Sequence, residues 1–144
     1  MAITVLVELA LLLRIVFWRK PTIINTLAIL ILLSLGLFQA MEYGICEGLF
    51  GVHPNILARV GFVSITALPV LGLHLIQRIG RSQQHKITIV AYASMLMWSA
   101  IFLLSDALVN QVCGGNYIIF QLSAGFGGSY FIYYYFWLIV GSIW

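Results

Sequence analysis

Five apolar runs, separated by breaks that hold six of the chain's eleven charged residues, constrain the fold more than any other feature. A spanning helix needs about 20 mostly apolar residues to cross roughly 30 Å of hydrocarbon. The runs lie at about residues 3–18, 22–43, 56–79, 87–104 and 130–144. Only 8% of the residues are charged and 62% are hydrophobic, whereas roughly a quarter of a soluble domain is charged. The same figures exclude a disordered chain, which needs low hydrophobicity and high net charge. The chain therefore reads as one all-α integral membrane domain over residues 1–144, a bundle of five transmembrane helices.

The breaks set the boundaries. Arg19-Lys20-Pro21 ends the first run with two charges and opens the next with a helix-starting proline. Glu47 to Asn55 (EGLFGVHPN) separates the second and third, and the basic stretch Gly80 to Lys86 (GRSQQHK) the third and fourth. Ser105 to Ser129 is the longest segment outside the spans. The fifth run covers about 22 Å at 1.5 Å per residue. Trp144 is then either the interfacial anchor of a short helix or a point within something longer.

Charge fixes a sidedness. With the Arg19-Lys20 turn in the cytoplasm, Arg78, Arg81 and Lys86 fall on the same side, and Arg14 can snorkel towards it. Six of the seven basic residues then share that face, while Arg59 lies opposite with Glu42, Glu47 and Asp106. The N-terminus is expected outside and the C-terminus in the cytoplasm, in an inner or plasma membrane. No cleavable signal peptide is recognisable, because the positive charges follow the first apolar run. Cys46 and Cys113 both fall on the outer, oxidising side, where they are expected to pair. The alternatives are two buried thiols acting as small hydrophobes, or a metal site with His53 that lacks close ligand spacing. No metal site is expected.

An ionisable group at mid-bilayer costs about 2.5 to 3.5 kcal/mol on insertion scales and is a functional candidate by default. Glu8 sits near the middle of the first span. It reads either as a protonated carboxyl hydrogen-bonded to a neighbouring helix or as a proton or cation site. Gln39, Glu42 and Tyr43 cluster near the outer end of the second span, level with Arg59, where a Glu42 to Arg59 ion pair would neutralise both. Gln39, Glu42, Arg59 and Asp106 form the expected outer-face polar cluster. In the third span Arg59, Thr66 and Gln77 fall near one line at 100° per residue, with His74 about 60° away, so that face should point inward. His74 reads as a hydrogen-bonded packing residue or as a titrating or cofactor-ligating group, without a second intramembrane histidine for a bis-His haem. Pro69 removes a backbone donor opposite Ile65 and allows a kink. With Gly72 it forms either a hinge or a close-packing site.

The stretch from Cys113 to Tyr130 (CGGNYIIFQLSAGFGGSY) predicts a short outer-face hairpin or loop between the fourth and fifth helices. YIIFQL supplies a strand and Ser123 to Ser129 the turn residues. Its glycines make no phosphate loop, because no G-K-[ST] follows. The aromatics of Tyr130 to Trp137 (YFIYYYFW) read as an interfacial belt or as the wall of a pocket for a lipid, quinone or pigment.

The run Ala58 to Arg81, ARVGFVSITALPVLGLHLIQRIGR, resembles the central helix of the seven-helix membrane sensor modules that precede some bacterial histidine kinases. The Ala-Arg entry, the mid-helix Leu-Pro and the basic exit carry the resemblance. It implies a sensor-like module acting through a separate partner, since the chain has five spans and no output domain, and it transfers no catalytic residue.

No nucleophile-base pair or metal-ligand cluster stands out. The leading expectation is a non-enzymatic multi-pass protein, a sensor-like module or an accessory subunit. Its partners would be the lipid bilayer and other membrane subunits or further copies of itself. A small transporter or channel using Glu8, His74 and the Pro69 hinge is the second reading, without the internal repeat such proteins show. An enzyme or binding protein for a lipid or quinone, with Glu42, Arg59 and Asp106 as its polar site, is the third. No cofactor is called for beyond such a bound lipid or quinone. Nucleic acid is not an expected partner, because the pI near 9.1 arises from scattered inner-face anchors.

Overall fold

The computed structural model describes residues 2–18, 20, 22–48, 51, 53–81, 85–105, 108–114, 117–123 and 125–143. The elements in order are α1 (Ala2–Trp18), α2 (Ile23–Glu47), α3 (Pro54–Ile79), α4 (His85–Leu104), β1 (Leu108–Gly114), β2 (Tyr117–Leu122) and α5 (Gly127–Ile143). Three of the helices, α2, α3 and α4, are long and apolar enough to cross a membrane.

The helices occupy the apolar runs, but their ends are set by capping groups that hydropathy does not weigh. Thr22 caps α2, its side chain accepting from the Asn25 N–H at 3.3 Å. Asn25 ties the entry by donating Nδ2 to the Lys20 carbonyl at 2.8 Å. At the other end α2 continues past Tyr43 to Glu47 and stops at Gly48, whose φ of 64° is left-handed. Only a residue without Cβ takes that conformation at little cost. Helix α3 starts two residues before the apolar run because Pro54 occupies its first turn and His53 caps it, Nδ1 accepting from the Asn55 N–H. The hairpin also differs from expectation. Its first strand begins at Leu108, well before Cys113, and pairs antiparallel with β2 through Val112 opposite Ile119 and Gly114 opposite Tyr117. Ser123 to Ser129 belongs instead to the entry of α5, where the Phe126 and Gly127 N–H groups both donate to the Ser123 carbonyl.

Helix α3 is the axis of the molecule. Eleven of its 26 residues are buried, against two in α2 and three in α4. It packs against α2, α4 and α5, and α1 packs on α2. Small residues sit at these helix contacts, as they do between membrane helices. A Cβ on Gly61 of α3 would lie 3.5 Å from Met41 and Phe38 of α2, and one on Gly141 of α5 would lie 3.9 Å from the Leu73 Cα. Gly72 does not share this role, because a Cβ there would meet nothing within 4 Å. The helix runs unbroken through Pro69, which is itself buried. The outer surface is apolar on every helix. Phe17 is 76% exposed, Ile132 73% and Leu104 86%, an exterior suited to an apolar medium.

Candidate functional site

The polar residues of α3 that point inward do not form an open site, and one of them, Thr66, fastens α5. Thr66 is fully buried, and its Oγ1 donates to the Phe62 carbonyl at 2.6 Å. With that hydrogen committed, the 3.1 Å contact to Tyr130 makes the tyrosine hydroxyl the donor. One turn along α5, Tyr133 donates its hydroxyl to the Thr66 carbonyl at 3.0 Å. Trp137 then donates Nε1 to Ser94 of α4, 3.0 Å away, and Ser94 donates to the Ala91 carbonyl. Tyr130, Tyr133 and Trp137 recur every three or four residues and are buried, while Ile132 and Phe136 between them face outward. The aromatic run is therefore one helix with two faces rather than a uniform belt. Thr66→Val is expected to leave the Tyr130 hydroxyl buried without its acceptor, at a cost of about 1–2 kcal/mol. Thermal unfolding in micelles should show a larger shift than Ser142→Ala, which removes an exposed hydroxyl bonded to its own helix. Equal shifts would dismiss the fastening role.

Fixing α5 in this way builds a cavity. About 260 Å³ lies open beneath the hairpin. Its walls come from four elements: Phe38 of α2, Phe62 and Ile65 of α3, Phe120 and Leu122 of β2, and Tyr130, Phe131, Tyr134 and Tyr135 of α5. The rings meet edge to face as their quadrupoles favour. Phe62 and Phe120 stand 5.0 Å apart at 83°, and Tyr130 meets Phe102 at 5.0 Å and 87°. The hairpin that supplies one wall is tied to the bundle by the Cys46–Cys113 disulfide, with Cα atoms 5.8 Å apart. The tyrosines of α5 were visible in the sequence as pocket candidates. Phe38, Phe62 and Phe120 were not, although the alternation of Phe120 and Leu122 in YIIFQL marks the strand's inner face.

Glu8 is hydrogen-bonded to the neighbouring helix α2, the first of the two settings its span allows. Its Oε1 accepts from Gln39 Nε2 at 2.8 Å, and Gln39 Oε1 in turn accepts from Thr4 at 3.2 Å. Gln39 thus faces α1 and Glu8, and does not join the outer-face cluster in which the sequence placed it. Glu8 Oε2 is buried without a partner among the described residues. It borders a groove of about 320 Å³ between α1 and α2 whose other walls are aliphatic, among them Leu9, Leu12, Leu33 and Leu37. Gly36 of α2 also borders it, and a Cβ there would lie in ordinary contact, 3.6 Å from Oε2.

His74 is held at both nitrogens. Arg78 donates Nε to its Nε2 at 3.2 Å, which leaves the ring proton on Nδ1 to bond the Tyr92 hydroxyl at 3.0 Å. A ring committed in this way offers no lone pair to a cofactor. Nearby, Thr88 donates to Gln77 Oε1, and Gln77 Nε2 is buried without a partner among the described residues. Glu8 and His74 share no partner among the described residues. At the end of the bundle that carries the hairpin, Arg59 donates Nη1 to the Leu103 carbonyl at 2.9 Å, and Glu42 is half-buried near the end of α2. Asp106, the fourth member expected there, lies outside the described residues. No group of histidine, cysteine, aspartate or glutamate that could hold a metal occurs among the described residues. Comparison with protein-family models, with curated proteins and with solved structures returned no match.

Proposed function

We propose that the chain is a non-enzymatic, multi-pass membrane module that holds an uncharged apolar ligand beneath its outer hairpin and passes the occupancy of that pocket to a partner. The partner is another membrane subunit or a second copy. The observation that carries the reading is the aromatic cavity, because its walls belong to α2, α3, β2 and α5 at once. A ligand seated there touches the axis helix, two of the three helices that pack on it and the hairpin, so its binding energy is coupled to how they pack. The sensor-like character of Ala58 to Arg81 supports the same reading. In this proposal all five helices span, with the N-terminus outside and the C-terminus in the cytoplasm. The six basic residues then lie inside, and the exposed disulfide and hairpin lie outside. The transporter reading has less support, since Glu8 and His74 sit on different helix pairs with separate partners.

The test is organic extraction of the protein purified from its membranes. A small apolar compound is expected at close to one per chain, and at less than a tenth of that in Leu122→Phe, which fills the cavity from the strand side. Equal recovery from both proteins, or none from either together with no change in thermal stability on adding membrane lipid extract, would overturn the proposal.

A further inference from the structure

We infer that the pocket beneath the hairpin takes a flat, uncharged ring of about two fused cycles bearing an edge carbonyl, the chemistry of a quinone headgroup, in preference to an acyl chain. The inference rests on the reading of this cavity as a ligand site and adds the class of ligand.

Three observations carry it. The first is the wall. Phe38, Phe62, Phe120, Tyr130, Phe131 and Tyr134 surround the space from four elements. Such walls present faces and edges that match an aromatic or quinoid plane by offset stacking or T-shaped contact, each pair worth something beyond burial alone. A flexible chain gains no such term and loses rotational freedom on entering. The second is the contrast within the same molecule. The groove between α1 and α2 has a similar volume but no aromatic wall, being lined by leucine, valine, alanine and glycine around the one carboxyl of Glu8, and such aliphatic walls give a ring nothing to stack on. The third is polarity. Among the described residues no charged side chain lines the aromatic cavity, and its only polar side chains are tyrosines. Tyr130 commits its hydroxyl to Thr66, which fixes that wall before any ligand arrives. Tyr134 and Tyr135 supply the remaining hydroxyls of the wall, suited to donate to a carbonyl on the edge of a ring. Size agrees: cavities near ~150 Å³ hold a single benzene ring, and this one is about 260 Å³.

Trp98 is a built-in reporter, since its indole lies 5.4 Å from the Tyr130 ring, which lines the pocket. The full chain in lipid nanodiscs is titrated with 2-methyl-1,4-naphthoquinone while tryptophan fluorescence is followed. Saturable quenching is expected. It should weaken at least tenfold in Ile65→Phe and in Leu122→Phe, which fill the cavity from opposite walls, so that one misfolded variant does not decide the matter. A naphthoquinone sulfonate should bind at least tenfold more weakly, and 1-decanol should not displace the neutral quinone. If 1-decanol displaces it as effectively as an unlabelled quinone does, the ring preference is wrong while the apolar pocket stands. If the sulfonate binds equally, the requirement for an uncharged ligand is wrong. If quenching is linear, with neither probe sensitive to the two filling variants, both this inference and the proposed function fail.

Discussion

Phe102→Ala is expected to be the most damaging truncation on α4, lowering the stability of the folded bundle by about 2–3 kcal/mol. Phe102 is fully buried, and its ring stands 4.8 Å from Phe62, 5.0 Å from Tyr130 and 6.0 Å from Trp98. It therefore links α3, α4 and α5 through one side chain. In a water-soluble core such a change costs about 3–5 kcal/mol, part of it lost water exclusion and part the cavity left behind. Lipid is as apolar as the core, so for a bundle in a membrane the first part largely disappears and the packing part remains. Denaturant unfolding in mixed micelles, followed by circular dichroism, should place Phe102→Leu between the wild type and Phe102→Ala. Leu104→Ala, at a side chain 86% exposed, should lie within about 0.5 kcal/mol of the wild type. If Phe102→Ala costs no more than Leu104→Ala, the aromatic cluster is not the centre of the bundle.

The contrast between these two residues shows what the sequence made legible and what it did not. Hydropathy located every helix, because a run of apolar residues and the polar breaks around it are local properties of the chain. It could not rank Phe102 above Leu104, since both lie in the same apolar run and only the neighbouring helices decide which one is enclosed. The inward line of Thr66 and Gln77 on α3 was readable from 100° periodicity, and both are buried. Their partners were not readable, because Tyr130 and Tyr133 reach Thr66 across more than sixty residues. Gln39 shows the same limit. Sequence proximity grouped it with Glu42, while the antiparallel packing of α1 on α2 assigns it to Glu8. Strand β1 was missed for a different reason. LVNQVCG has neither a clean alternation nor a β-branched majority, and it becomes a strand because β2 is beside it to pair with.

The second large effect is expected at the disulfide, where Cys46→Ser should lower the apparent melting temperature by about 10 °C. The bond closes a segment with a sequence separation of 67. The chain-entropy relation gives about 4 kcal/mol for a loop of that length, an upper figure here because spans threaded through a bilayer are already restricted before they pack. Isolated two-stranded hairpins are marginal by themselves. This one is held by its inner contacts, Phe120 against Phe62 and Phe38, and by the covalent tie to α2. Cys113→Ser should match Cys46→Ser, and the double variant should be no worse than either, because each single change already removes the whole bond. Both cysteines are exposed, so a membrane-impermeant phosphine reaches the bond only from the side the hairpin faces. Reduction in right-side-out vesicles, and its absence in inverted ones, would place the hairpin outside, and the opposite pattern would reverse the proposed sidedness. Additive losses in the double variant would mean that the two thiols act separately. In that case the hairpin would be held over the pocket by packing alone, and its Phe120 wall should persist in reducing conditions.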